Sequence, residues 1–117
     1  MNTGKILSIL CLFFGEALSI YAEMLAAQAP DSQPHRAGLL FGRSLVLITL
    51  AGAMLLIGYV LGYRSFRSIW VVSVVSITGI LIAEPVLAIT LFSELPGRGA
   101  LVGFGLGALG LLATLVL

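Results

Sequence analysis

The sequence predicts an all-α integral membrane protein built as a four-transmembrane-helix bundle. Three observations carry that reading. Of the 117 residues, 60% are hydrophobic and only 9% are charged, and the mean hydropathy is +1.17. A soluble globule needs far more polar surface, and a disordered chain far fewer apolar residues. The apolar residues fall into four runs, each near the ~20 residues that cross ~30 Å of hydrocarbon at ~1.5 Å per residue. The runs are parted by short segments rich in proline, serine and arginine, the composition of turns. They occupy about residues 6–27, 37–62, 68–92 and 99–117, and form a single domain over 1–117.

The first run, Ile6 to Ala27, is the one around which the others are organised. It carries Glu16 at its midpoint and Glu23 seven residues later, close to two helical turns, so both carboxyls share a face. A carboxylate at mid-bilayer costs several kcal/mol unless it faces protein, water or a counter-ion, and such residues usually mark an ion or substrate path. The plain alternative is a protonated Glu16 that hydrogen-bonds a neighbouring helix. Tyr21, five residues beyond Glu16, joins the candidate substrate-binding residues. A cleaved signal peptide competes for this segment, with Lys5 as its basic start and Ala27-Gln28-Ala29 as a cleavage site. The run is too long for that and is interrupted by Glu16, so it is read as a retained helix. Cys11 lies inside the run and has no second cysteine with which to form an internal disulfide.

The segment Gln28 to Arg36, with two prolines, a serine and an aspartate, reads as an exposed loop. His35 within it has no histidine or cysteine nearby, so no metal site is expected. The second run contains an uncharged stretch from Ser44 to Gly62, with Arg43 placed to snorkel from its end. Gly58 and Gly62 form a small-xxx-small pair that permits close helix approach. Tyr63 to Arg67 then mixes arginine with aromatics, as expected of a tight turn at a membrane interface.

The third run begins with Trp70, an interface anchor that also counts among the candidate substrate-binding residues. Ser73, Ser76 and Thr78 offer hydroxyls that can bond back to the helix or across to another. Glu84-Pro85 follows. Pro85 has no N–H to offer the Leu81 carbonyl, so a bend is expected over Leu81 to Pro85. Glu84 lies eight residues, or ~12 Å along the axis, before Phe92 and is therefore below the interface. A kink beside an ionisable group inside the membrane is a common way to build a transporter site. Pairing of Glu84 with Arg98 or Arg43 is the structural alternative. The segment Ser93 to Arg98 is a turn by composition. In the last run Gly99, Gly103 and Gly107 stand four apart, and Gly110 widens the small surface. These four are the expected helix-packing or dimer interface.

Net charge is +1, which gives no electrostatic case for nucleic acid. Four crossings put Lys5, Arg64 and Arg67 on one side and Arg36, Arg98 and Arg43 on the other. Three against three is no positive-inside bias, and it suggests insertion in both orientations and an antiparallel pair. An orientation set by the first helix alone is the simpler account.

The layout resembles the small multidrug resistance family, within the drug/metabolite transporter superfamily. The resemblance covers the whole chain but rests on few residues. Glu16 falls where that family has its shared proton- and substrate-binding glutamate. Gly103, Leu106 and Gly110 fall on the family's dimerisation pattern, and Leu91-Phe92-Ser93-Glu94-Leu95-Pro96 before a glycine-rich helix looks like the end of a superfamily repeat. The chain departs from the pattern at Met24, where members usually carry a lysine, and in the aromatic motif of the third helix. Glu84-Pro85 has no counterpart in the drug exporters, and the first loop is longer. The resemblance implies a bacterial inner (plasma) membrane protein that exchanges protons for a small cationic or amphiphilic substrate, working as a homodimer.

Three functions follow. The first is a proton-coupled transporter using Glu16. The second is one subunit of a flippase for a lipid-linked sugar, a polyprenyl phosphate, with Glu84 and the interfacial arginines at the head group. The third is a non-transporting accessory subunit of a larger membrane complex with a heteromeric partner. No nucleophile–base pair, metal cluster or phosphate-cradling loop is visible, so neither an enzyme nor a cofactor is expected.

Overall fold

The computed structural model describes residues 3–28 and 32–117. They form four helices, α1 (Thr3–Ala27), α2 (Pro34–Phe66), α3 (Ile69–Phe92) and α4 (Arg98–Val116), with no strand among the described residues. Each is long and apolar enough to cross a bilayer, and on that ground the chain is an integral membrane protein. Residues 29–31, the middle of the predicted first loop and the end of the candidate cleavage site, lie outside the described residues, as does Met1.

The second helix is longer than the sequence suggests. It begins at Pro34, so His35 and Arg36, read as loop, belong to its first turn. Pro34 suits the first helical position, where the missing N–H is one that the helix leaves unpaired anyway. At the other end α2 runs on through Phe66, absorbing most of the predicted interface turn. Its 33 residues reach ~50 Å at ~1.5 Å each, well beyond the hydrocarbon. Its basic residues lie toward the two ends, and the stretch from Ser44 to Gly62 between them carries no charge.

The turn into α3 is correspondingly short. Arg67 closes α2 in the left-handed region (φ 59°), with its N–H on the Tyr63 carbonyl, 2.9 Å. Ser68 then caps α3, its hydroxyl accepting from the Val71 N–H. Lys5 lies over the Phe66 ring, 5.4 Å from its centroid, which brings the start of α1 to the end of α2. Helix α3 passes through Pro85 to Phe92 as one helical segment and ends on Ser93, again left-handed (φ 54°). Residues 93–97 lead into α4.

Small residues decide the packing. The buried positions of α2 include Ser44, Ala51 and Gly58, spaced seven apart, with Gly62 one turn further. This seam takes α1 at close range. A Cβ on Gly58 would stand 2.9 Å from Leu12 Cγ, and one on Gly15 2.9 Å from Leu55 Cδ2. Ser8 donates a buried hydrogen bond to the Gly58 carbonyl, 3.0 Å. On the other flank, α3 buries Val72, Ser76 and Gly79, which share a face at i, i+4 and i+7. Ser8 thus lies near Gly62, whereas Gln28, at the far end of α1, donates to the Leu91 carbonyl of α3, 2.9 Å. Helix α1 therefore runs antiparallel to α2 and parallel to α3.

Helix α1 is central, between α2 and α3, while α4 packs against α3 alone and buries no residue. The chain is accordingly a slab, 49 × 34 × 17 Å. Of the predicted glycine face, only Gly107 approaches a neighbour within the chain: a Cβ there would stand 3.3 Å from Leu81 Cδ2, close enough that the leucine would have to shift. Gly99, Gly103 and Gly110 face open space.

Candidate functional site

Glu16 projects from the middle of α1 toward α3. Its Oε1 accepts a hydrogen bond from the Ser76 hydroxyl, 2.5 Å. The recess is made by Gly79, three residues on from Ser76 along the same face. A Cβ there would stand 3.6 Å from Glu16 Cβ and 3.7 Å from its Cγ. An alanine would touch the glutamate stem, and anything larger would displace it. The carboxyl is half-buried and has a polar partner within the chain. Of the four hydroxyls of α3, Thr78 bonds back to the Val74 carbonyl, 2.7 Å, Thr90 to the Val86 carbonyl, 2.8 Å, and Ser76 alone reaches across to α1. A carboxyl so placed can hold a proton while hydrogen-bonded to Ser76, or release it and pair with a cation.

Glu84 lies two turns further along α3, ~12 Å from Ser76 along the axis. It lines a second feature, a cleft of about 350 Å³ at the end of the bundle where α1 finishes and α3 turns into α4. Met24, Pro85, Leu95 and Phe104 form its apolar walls, and Glu94 of the connecting segment stands at its edge. Glu84 is half-buried and Glu94 exposed. Glu23 is close enough for its charge to act on Glu84. It is exposed itself and accepts a long bond from the Ser19 hydroxyl, 3.4 Å. Among the described residues no ion pair joins Glu84 to Arg43 or Arg98, the partners considered from sequence.

The aromatic candidates lie apart from Glu16. Tyr21 lines two shallow grooves, one with Arg43 and Gly42 of α2 and one with Ile82 and Val86 of α3. Trp70 is 77% exposed at the start of α3, six residues or ~9 Å along the helix from Ser76. The structure therefore separates the predicted set into Glu16 at the α1–α3 contact, Glu84 in the cleft, Tyr21 on the flanking grooves and Trp70 on the outer surface. No group of three or more histidine, cysteine or acidic side chains suited to a metal occurs among the described residues.

Three participants were not singled out as site residues from sequence. Ser76 was seen only as a hydroxyl in an apolar run, and Gly79 not at all. The spacing Val72, Ser76, Gly79 puts one valine and two small residues on one face, a recess that a long side chain on the next helix can fill. Glu94, in a segment with the composition of a turn, carried no signal of lining the same cleft as Glu84.

Comparison of this chain with protein-family models, with curated proteins and with solved structures gave no match. What the fold and site define is a class: a four-helix integral membrane protein with a half-buried carboxyl between two of its helices.

Proposed function

We propose that this is a small membrane transporter that exchanges protons for a small cationic or amphiphilic substrate, with Glu16 as the shared site. The observation that carries the reading is the pairing of Glu16, near the middle of α1, with Ser76, a third of the way along α3, across two helices long and apolar enough to span a membrane. A hydroxyl that both accepts and donates can partner the carboxyl in either protonation state. The glycine recess at Gly79 leaves the carboxyl free of steric clamping by a larger neighbour. In this reading a proton and a cation compete for one carboxylate, and a small multidrug resistance-like homodimer, parallel or antiparallel, supplies two such sites. Because α4 buries nothing within the chain, its glycines are available to build that dimer.

The decisive experiment is substrate-induced proton release by the purified protein in lightly buffered detergent. Addition of tetraphenylphosphonium or a guanidinium salt should acidify the solution in proportion to protein, and Glu16→Gln should abolish the response. Release that persists undiminished in the variant would remove Glu16 from the coupling role.

One observation favours a second reading, that of a non-transporting accessory subunit. Glu16 is already partnered by Ser76 and lines none of the principal cavities, while α4 stands ready for a heteromeric partner. In that case Glu16→Ala would loosen the α1–α3 contact, and no wild-type proton release would be seen.

A further inference from the structure

The seam between α1 and α3 is packed unevenly along its length, and Glu16 stands where the packing changes. The buried residues of α3 are Val72, Ser76 and Gly79, all in its first half. There Val72 meets Gly62 of α2 beside the fully buried Ser8 of α1, so three helices close on one another. From Ile80 to Phe92 α3 buries no residue, and α4, which packs against α3 alone, buries none either. Two grooves open along this second stretch. One, of about 450 Å³, lies between Phe14 and Tyr21 of α1 and Ile82 and Val86 of α3. The other is the cleft in which Met24 of α1 shares the wall with Pro85.

Among the described residues, one side-chain hydrogen bond ties this loosely packed stretch to α1. Gln28, exposed just past the end of α1, donates from Nε2 to the Leu91 carbonyl at 2.9 Å. That carbonyl lies in the last turn of α3, where the helix supplies no N–H of its own. Two residues weaken the interior of the same stretch. Gly79 lacks the Cβ that restricts a backbone to helix, and Pro85 has no N–H for the Leu81 carbonyl. A segment with few buried contacts and one exposed tether at its end opens more readily than the rest of a fold.

We infer that the Gln28–Leu91 bond is a latch on the α1–α3 seam. When it opens, α3 beyond Gly79 swings away from α1 with α4 attached, and water reaches Glu16 from that end of the bundle. The Val72 end stays packed and is the fixed side of the hinge. Opening is a property of the packing and needs no substrate. It bears on transport only through the role proposed for Glu16.

The test is the rate at which the methanethiosulfonate cation MTSET modifies a single thiol in the full-length chain, held in lipid nanodiscs. Cys11 is replaced by serine, and Glu16→Cys puts the reporting thiol at the seam. A second reporter, Val72→Cys, stands in the packed half, at a fully buried position. Gln28→Ala should speed modification of the Glu16→Cys reporter about two- to tenfold, the range for one net hydrogen bond. It should leave the Val72→Cys reporter unchanged. Gln28→Lys, which keeps a donor for the last carbonyls of α3, should stay near the rate seen with Gln28. Unchanged helical circular dichroism would certify that each variant is folded. Equal rates at the Glu16→Cys reporter with Gln28 and with Gln28→Ala would overturn the inference. A matching rise at Val72→Cys, the mark of general loosening, would do the same, and so would a Gln28→Lys rate as high as that of Gln28→Ala. The Glu16→Cys reporter carries no carboxyl, so these rates are independent of coupling. A chain that shows the latch but no substrate-induced proton release fails only as a transporter.

Discussion

Gly62→Ala is the most sharply defined perturbation the packing offers. In a helix facing lipid or open space, glycine to alanine should stabilise by up to about 1 kcal/mol, because alanine restricts the unfolded backbone and forms helix more readily. At Gly62 the new methyl would lie 2.6 Å from Ser8 Oγ and 3.0 Å from Val72 Cγ2, so α1, α2 and α3 meet with no room for it. Ser8 is fully buried, and its hydroxyl is committed to the Gly58 carbonyl at 3.0 Å. Moving that hydroxyl breaks a buried hydrogen bond, worth about 1–3 kcal/mol, and shifting Val72 adds overpacking strain of about 1–3 kcal/mol. Set against the propensity gain of about 1 kcal/mol, the net destabilisation should be about 1–5 kcal/mol. The assay is unfolding in mixed micelles as the fraction of sodium dodecyl sulfate rises, followed by circular dichroism. Gly42→Ala, where a Cβ meets nothing within 4 Å, serves as the control and should be neutral or stabilising. The double variant Ser8→Gly/Gly62→Ala should recover part of the loss, since the nearer clash disappears, giving a coupling energy above about 0.5 kcal/mol. A Gly62→Ala protein as stable as the Gly42→Ala control would refute this account of how the three helices are held.

Two further outcomes can be checked. Gly103 faces open space within the chain, so Gly103→Ala should leave protomer stability unchanged or slightly raised; if α4 forms a dimer seam, the same variant should raise the monomer fraction in cross-linking or analytical ultracentrifugation by several fold. The balanced basic residues leave little free-energy difference between the two insertions, so one or two lysines added at the α2–α3 turn should shift the orientation read by reporters fused to the C-terminus. Wild-type protein that inserts one way and resists the change would exclude an inverted homodimer.

How far the structure was legible in the sequence differs by element. The four helices were, because ~20 apolar residues between polar punctuation admit few other folds. The ends of α2 were not. Proline, histidine and arginine in Pro34-His35-Arg36 look like loop by composition, yet proline at the first helical position and basic side chains on an exposed turn suit a helix equally well. Gly58 and Gly62 were read as a close-approach pair and do lie against α1, with Gly62 also reaching α3. Gly15, which meets Leu55 as tightly, was overlooked because it stands alone in its run, and a glycine declares a helix contact in sequence only when it repeats. The repeat in α4 shows the opposite hazard. Its glycines are regular, yet within the chain all but Gly107 of the four predicted interface positions face open space.

Glu16 is the case in which sequence and geometry speak to different parts of one question. Its position in the chain sets the energetic problem, since an acidic group in the middle of a spanning helix must find compensation. The structure identifies the local answer, Ser76 over a glycine recess, which no spacing within α1 can reveal because the partner lies sixty residues away on another helix. That answer is only partial. One hydroxyl gives the Glu16 carboxyl a single partner where water would give several. A cation reaching the α1–α3 contact would supply the missing compensation and displace the proton. The proposed proton–cation competition and a purely structural bond are thus two accounts of the same Glu16–Ser76 pair. Ser76→Ala separates the two: a structural bond would be felt as lost stability alone, whereas a coupling pair should also change the pH at which cation binding is half-maximal.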